Sequence, residues 1–239
     1  METRLNVTIL PQPDDTSCGP TCLHAIYRYY GIDFPLAELI TDIESLDKGG
    51  TLGVVLANHA LQSGFKVTLF TYNLLIFDPT WFNGKTDIED KLRMRARFTT
   101  SGKQRFAIKQ YRQFLSNGGQ IRLEDMNRRM LTNCLNKGIP ILTGLTSTYL
   151  YRNSRIDPKT NKDDDIRGRV EGHFVVLDGY EKEKRLVSIA DPYQKNPISG
   201  TTSYRITIDR VINAILLGVL TYDANFIVIE PQSSQRQTS

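Results

Sequence analysis

The sequence predicts an α+β fold, with helices filling most of the N-terminal half and strands most of the rest. Apolar residues recur at helical spacing over 18–64 and again over 86–137. From residue 138 onward they come in short β-branched runs bounded by turn residues. Two of those runs, 173–180 and 185–190, flank a short polar turn and read as an antiparallel hairpin. The chain has 239 residues, 40% hydrophobic and 23% charged, an ordinary globular composition with enough length for one core. Residues 1–230 are therefore expected to form a single domain, and 231–239 a disordered tail.

Composition removes several functional classes. A net charge of +4 does not by itself point to nucleic acid. No apolar run approaches the roughly 18 residues of a membrane span, and the N-terminus lacks the apolar stretch of a secretory signal. Three cysteines argue against a disulfide framework and for a reducing, cytoplasmic setting. Cys18 and Cys22, with only the distant Cys134 besides, do not make a zinc set, and no cofactor or metal is expected.

Taken in order, 5–10 alternates roughly and is expected to be a short strand, and Pro11 and Pro13 keep the next residues extended. Asp14 to Ser17 are turn and cap residues. A helix is expected to begin at or next to Cys18, capped by Ser17 or Thr16, to carry a stripe of Cys22, Ile26 and Tyr29 or Tyr30, and to stop at Gly31. Pro35 starts a second helix over 36–46, broken by Gly49 and Gly50. Thr51 is expected to cap a third, closed by Gly64, and 66–72 alternates as a strand. Helices follow near 86–98, 103–116 and 124–137. Residues 138–151 read as one buried strand, and 152–172, polar and highly charged, as a mobile loop. The strand from His173 is expected to turn at Asp178-Gly179. The strand 185–190 ends at Asp191-Pro192, 206–219 mixes a strand end with a helix, and 224–230 is a last buried strand.

The chemistry is concentrated in Leu10 to Leu23, L-P-Q-P-D-D-T-S-C-G-P-T-C-L. A thiol is a useful nucleophile only as a thiolate, and a helix N-terminus favours negative charge. Cys18 sits at such a place and needs a base. Of the three histidines, His24 lies on the same helix, rotated away from Cys18, and His59 lies mid-helix among apolar residues. His173 opens a strand directly after a charged loop, where a side chain can face a cleft. Asp191 ends the neighbouring strand of the hairpin and is placed to hold the imidazole tautomer. Asp178 is an odd number of residues from His173 and points to the other face. Gln12, just upstream of the thiol, can offer an amide donor to an oxyanion together with the Cys18 N–H. Cys22, one turn after Cys18, is expected to be buried packing, because a disulfide between them on a formed helix is geometrically poor.

Q-P-D-D-T-S-C-G-P-T-C-L, then H-F-V-V-L-D-G-Y and A-D-P-Y, resembles the C39 and C39-like cysteine peptidases of the papain-like superfamily. The resemblance covers about 8–70 and 138–195. It implies an N-terminal helical lobe whose Cys helix packs on an antiparallel sheet lobe carrying His and Asp. It implies Cys18 as nucleophile, His173 as base and then acid, Asp191 as its orienter and Gln12 as oxyanion donor. Residues 73–137 and 152–172 read as insertions relative to the compact family domain and are expected to shape a different substrate site, the charged loop acting as a lid.

The function expected is cleavage of a peptide or amide bond through a thioester acyl-enzyme. Transfer of the acyl group to an amine shares the first step, and a non-catalytic peptide-binding module keeps the fold without it. Residues 81–130 hold 12 Lys or Arg against 5 Asp or Glu. That segment is read as solvated helix faces, with an anion- or nucleic-acid-binding surface as the competing reading.

Overall fold

The computed structural model describes residues 2–46 and 50–232. The centre is an eight-stranded sheet in the spatial order β3-β2-β10-β4-β7-β8-β9, with β1 paired to β7. The strands are β1 (Glu2–Arg4), β2 (Phe65–Thr71), β3 (Gln120–Arg122), β4 (Ile141–Thr146), β7 (Gly172–Glu181), β8 (Leu186–Ala190), β9 (Ser203–Thr207) and β10 (Asn225–Pro231). Neighbours run antiparallel except β2 and β3, a parallel pair at one edge. Two further strands, β5 (Ile156–Asp157) and β6 (Lys162–Asp163), form a separate hairpin. The α+β architecture agrees with the expectation, and β2 and β3, from the helical half, extend the same sheet.

Strand alternation sends side chains to two cores. On β7, Phe174 and Val176 join one cluster and Val175 and Leu177 the other. On β10, Ile227 and Ile229 face one side and Phe226 and Val228 the other. The first cluster holds α1 (Cys18–Tyr29), α2 (Leu36–Asp42), α3 (Gly53–Gln62), α4 (Ile88–Ala96) and α5 (Gly102–Ser116). The second holds α6 (Arg128–Asn136), α7 (Ser147–Tyr151) and α8 (Ile208–Leu217). A sheet buried on both faces explains why β4, β7 and β10 read as continuous apolar runs.

Several local expectations are corrected. The first strand is Glu2–Arg4, not 5–10, because the free edge of β7 accepts a partner only over Gly179 to Glu181. The first helix starts at Cys18 and ends before Gly31, whose φ of +77° suits glycine. Its buried surface is wider than the expected stripe, with every residue from Gly19 to Tyr27 buried. The second helix stops at Asp42, and of the two glycines expected to break it, Gly49 lies outside the described residues. Thr51 does not cap α3; its hydroxyl donates to the Glu44 carbonyl. The strand expected over 138–151 is split into β4 and helix α7. Asp178-Gly179 is not a turn. The strand runs through it with a register shift, and Gly179 is required because a Cβ there would lie 2.7 Å from the Thr3 carbonyl oxygen of β1. The loop 152–172 contains the β5–β6 hairpin, where open coil was expected. Of the expected tail, Pro231 belongs to β10, and 233–239 lies outside the described residues. Among the described residues, no helix is long and apolar enough to cross a membrane.

Much of the charge on the basic segment is locally engaged. Arg93 pairs with Asp90, Arg112 with Glu89 and Arg128 with Asp209, while Arg95 donates to the Leu75 carbonyl.

Candidate active site

The site is built where α1 and the β7–β8 hairpin meet. β7 and β8 pair through Val176 with Ala190 and Leu177 with Ile189. His173 and Asp191 therefore leave adjacent strands on the same face, close to diagonal neighbours, a spacing that long side chains can bridge. His173 Nε2 lies 2.8 Å from Asp191 Oδ1. A carboxylate can only accept, so Nε2 carries the proton and Nδ1 is left bare. Cys18 is close enough to act on the same imidazole and helps to raise its pKa.

Asp191 has no exposed surface and is held by more than the histidine. Its Oδ1 also accepts from the Tyr193 backbone N–H at 2.9 Å, and its Oδ2 from the hydroxyls of Tyr151 at 2.7 Å and Tyr204 at 2.8 Å. Burial pushes the carboxyl up, but His173 and the two tyrosines outweigh it, and the group titrates below its ordinary range. Burial pulls the His173 imidazole down; the Asp191 charge and hydrogen bond, with Cys18, reverse this and raise it well above the usual histidine range. Asp191 thus favours the imidazolium that forms once Nδ1 gains a proton.

Cys18 is the first residue of α1 and is half-buried. Ser17 makes no side-chain cap, and the first bond of the helix is Thr21 N–H to the Ser17 carbonyl. Pro20 has no N–H, so the Cys18 and Gly19 amides are the donors that the helix leaves unused at its N-terminus. Gly19 is required by packing: a Cβ would lie 2.9 Å from Thr51 Cγ2 and 3.3 Å from Phe174 Cδ2. One turn on, Cys22 is fully buried with its thiol on the Phe174 carbonyl, and burial, helped by the charges of Cys18 and Asp191, keeps it protonated. It is packing, as expected.

Gln12 lines the same cleft as His173. Its backbone N–H donates to the Pro192 carbonyl at 2.9 Å, tying the approach segment to the residue after Asp191. Its Nε2 donates to the Asp14 carbonyl at 2.8 Å, which leaves the second amide hydrogen free.

Two clefts adjoin here, and the thiol lines one of them. One, of about 350 Å³, is lined by Gln12, Tyr151, His173 and Tyr193 and by residues of the β5–β6 hairpin. The other, of about 440 Å³, is lined by Cys18, Thr51, Phe174, Lys103 and Asp223. Asp15, Glu171 and Gly172 border both. His24 and His59 line neither; His59 Nδ1 meets the Tyr27 hydroxyl at 2.7 Å in the α1–α3 packing. Asp178 is buried away from His173 and is no rival to Asp191.

Sequence reasoning brought together Gln12, Cys18, His173 and Asp191 and missed Tyr151, Tyr204, Lys103 and Asp223. Tyr193, next to Asp191-Pro192, carries a local signal. The others arrive from distant elements and carry none.

A thiol on a helix N-terminus, beside a sheet histidine that is held by a carboxylate, is the arrangement of a thiol-peptidase class of fold. The chain belongs to the Peptidase_C39 like family, whose model matches residues 4–211. Among solved structures, a Bacillus anthracis protein assigned to the C39-like peptidases shares the fold, with a TM-score of 0.51 and 16% identity over 98% of this chain and 99% of that one. A double-glycine-motif protease from an AMS/PCAT transporter, solved with its leader peptide, aligns at TM-score 0.47 and 14% identity over 96% of this chain and 95% of that one. Xylellain, a cysteine protease from Xylella fastidiosa, aligns at 0.43 and 15% over 97% and 86%. Scores below one half add nothing to the fold assignment. No curated protein matches the chain.

Proposed function

We propose that the protein is a cysteine peptidase that cleaves a peptide or amide bond through a thioester on Cys18, with residues 1–230 acting as one catalytic domain. The observation that carries this is His173, bonded to Asp191 through Nε2 at 2.8 Å and close enough to Cys18, the first residue of α1, for the two to interact. Nδ1 takes the thiol proton and the sulfur attacks the carbonyl carbon. The oxyanion that forms meets the free hydrogen of Gln12 Nε2 and the Cys18 N–H at the positive end of α1. The imidazolium then protonates the departing amine, and the C–N bond breaks. A water, deprotonated by His173, attacks the thioester and releases the carboxylic acid with the thiol restored. A reducing, cytoplasmic compartment suits a free nucleophilic thiol.

An electrophilic thiol trap tests the reading. Cys18 should react faster than the half-buried Cys134 and far faster than Cys22, and Cys18→Ala should abolish both fast labelling and cleavage of a peptide library. Labelling of Cys18 no faster than a free thiol, with no cleavage in the library, overturns the proposal. A competing amine added to the assay separates hydrolysis from acyl transfer by its product.

A further inference from the structure

The walls of the two clefts carry a charge opposite to that of the chain. The chain has a net charge of +4. Around the thiol, however, the clefts present four carboxylates, Asp15, Asp163, Glu171 and Asp223, against one ammonium, Lys103. Elsewhere carboxylates have cationic partners, as Asp90, Asp209 and Glu181 do with Arg93, Arg128 and Lys184. The four cleft carboxylates have no ion pair among the described residues. Lys103 acts on Asp223 through its charge but makes no ion pair with it: its ammonium donates to the Thr221 carbonyl at 3.1 Å and lies 4.7 Å from the Tyr222 ring centroid.

Asp223 is the independent sign that a ligand belongs here. It is only 6% exposed, yet its Oδ1 has no hydrogen-bond partner, and the residue lines the cleft that holds Cys18. An unpartnered buried carboxylate oxygen costs free energy, and burial pushes this carboxyl up to about 7 against the Lys103 charge, so a cation seated beside it would favour its ionised form. Glu171 stands between the two clefts. Burial raises its carboxyl; His173 opposes this, while Asp15 and Asp163 add to it, so the acids are near enough to feel one another.

The chemistry orients the substrate. His173 must reach the departing amine, and it lines the cleft with the hairpin; that cleft takes the amine side of the scissile bond. The cleft with Cys18 but without His173 takes the acyl side.

We infer that the substrate is a cationic peptide, with Lys or Arg on both sides of the scissile bond. The amine-side residue is read by Asp163 and Glu171, and the acyl-side residue by Asp223 and Glu171. This rests on the peptidase reading for its substrate and on the cleft walls for its charge. It gives the β5–β6 hairpin a task, since Asp163 is supplied from β6. It gives the helical insertion one too, since Lys103 of α5 sets how much of the acyl side stays negative.

The test uses the full chain and peptides carrying Lys, Leu or Glu at each flanking position. Lys should be preferred over Glu on both sides, and the preference should weaken with added salt. Asp163→Asn should lower kcat/KM for amine-side Lys by roughly 2- to 5-fold, the worth of an exposed pair. Asp223→Asn should lower it for acyl-side Lys by about 10-fold, as a buried charged hydrogen bond does, leaving the amine side unchanged. If Asp223→Asn fails to fold, exposed Asp163 and Glu171→Gln still decide the matter. A second measurement needs no turnover. Cationic and anionic methanethiosulfonates each convert Cys18 to a mixed disulfide with loss of methanesulfinate, and the cation-over-anion rate ratio should fall in Glu171→Gln. Turnover without a charge preference, or a preference that all three variants leave intact, overturns the inference and spares the peptidase. No turnover of any peptide, with a rate ratio that still falls in Glu171→Gln, overturns the peptidase and supports a cation-binding cleft.

Discussion

The hydroxyl of Tyr204 donates to Asp191 Oδ2 at 2.8 Å, on the carboxylate oxygen opposite the one that holds His173. With Tyr151 on the same oxygen, the carboxylate cannot rotate without breaking several bonds. The imidazole plane is thereby set by two rings from α7 and β9.

Removing either hydroxyl should loosen that arrangement without emptying the site. Tyr204→Phe is expected to destabilise the fold by about 1.5–3 kcal/mol, the range for a hydrogen bond to a charged group. Activity should fall several-fold and be lost at higher pH on the acid side, because the Asp191 carboxyl rises toward its ordinary 3.8. Denaturant melts and a pH profile of kcat/KM check both; an unmoved acid limb would remove the tyrosines from any positioning role.

The His173–Asp191 pair should leave a signature in stability against pH. Asp191 is depressed in the folded state, so its contribution is present above the unfolded value of 3.8 and lost as pH falls through the lower folded value. His173 is raised, so its contribution is complete below the unfolded value of 6.5 and lost as pH rises through the higher folded value. The stability difference between the wild type and Asp191→Asn should therefore be largest between about pH 4 and 6.5, at about 3–5 kcal/mol. Urea unfolding across pH 3–10 measures it. A flat difference would mean that the pair is not charged.

Gly19→Ala should cost more than a surface change. Its Cβ would press on Thr51, Leu56 and Phe174 at 2.9–3.3 Å. Overpacking of this kind costs about 1–3 kcal/mol. The first turn of α1 would shift, so labelling of Cys18 should slow. Unaltered labelling would show that the neighbours absorb the methyl.

Replacing the hairpin between Arg155 and Gly168 by a short linker should raise KM while Cys18 remains reactive toward a small thiol trap. The segment lines the amine-side cleft through Ile156, Asn161 and Asp163, while Cys18 lines the other cleft. Unchanged kinetics would make the hairpin ornamental.

Much of this was legible in the sequence, for identifiable reasons. T-S-C-G-P marks the start of α1, and Gly31 marks its end, because both depend on local backbone chemistry. The reach of His173 to Asp191 was legible because strand parity and a short turn fix it locally. The strand at Glu2–Arg4 was not, since it exists only where β7 offers an edge. α7 was not, because S-T-Y-L-Y is rich in strand-formers and becomes helical while Tyr151 reaches Asp191. Asp223 is buried against Gly144 and Gly172, which long-range folding alone brings to it.

β10 is the last strand in chain order, yet it lies in the middle of the sheet, between β2 and β4. Until it is inserted, the side of the sheet under α3 and the side carrying His173 are joined by no backbone ladder. On the ribosome, Cys18 is made more than 200 residues before the strand that completes the sheet. The Cys18 helix and the strand of His173 pack on each other directly, so β10 acts on the site from a distance, by completing the sheet beneath both.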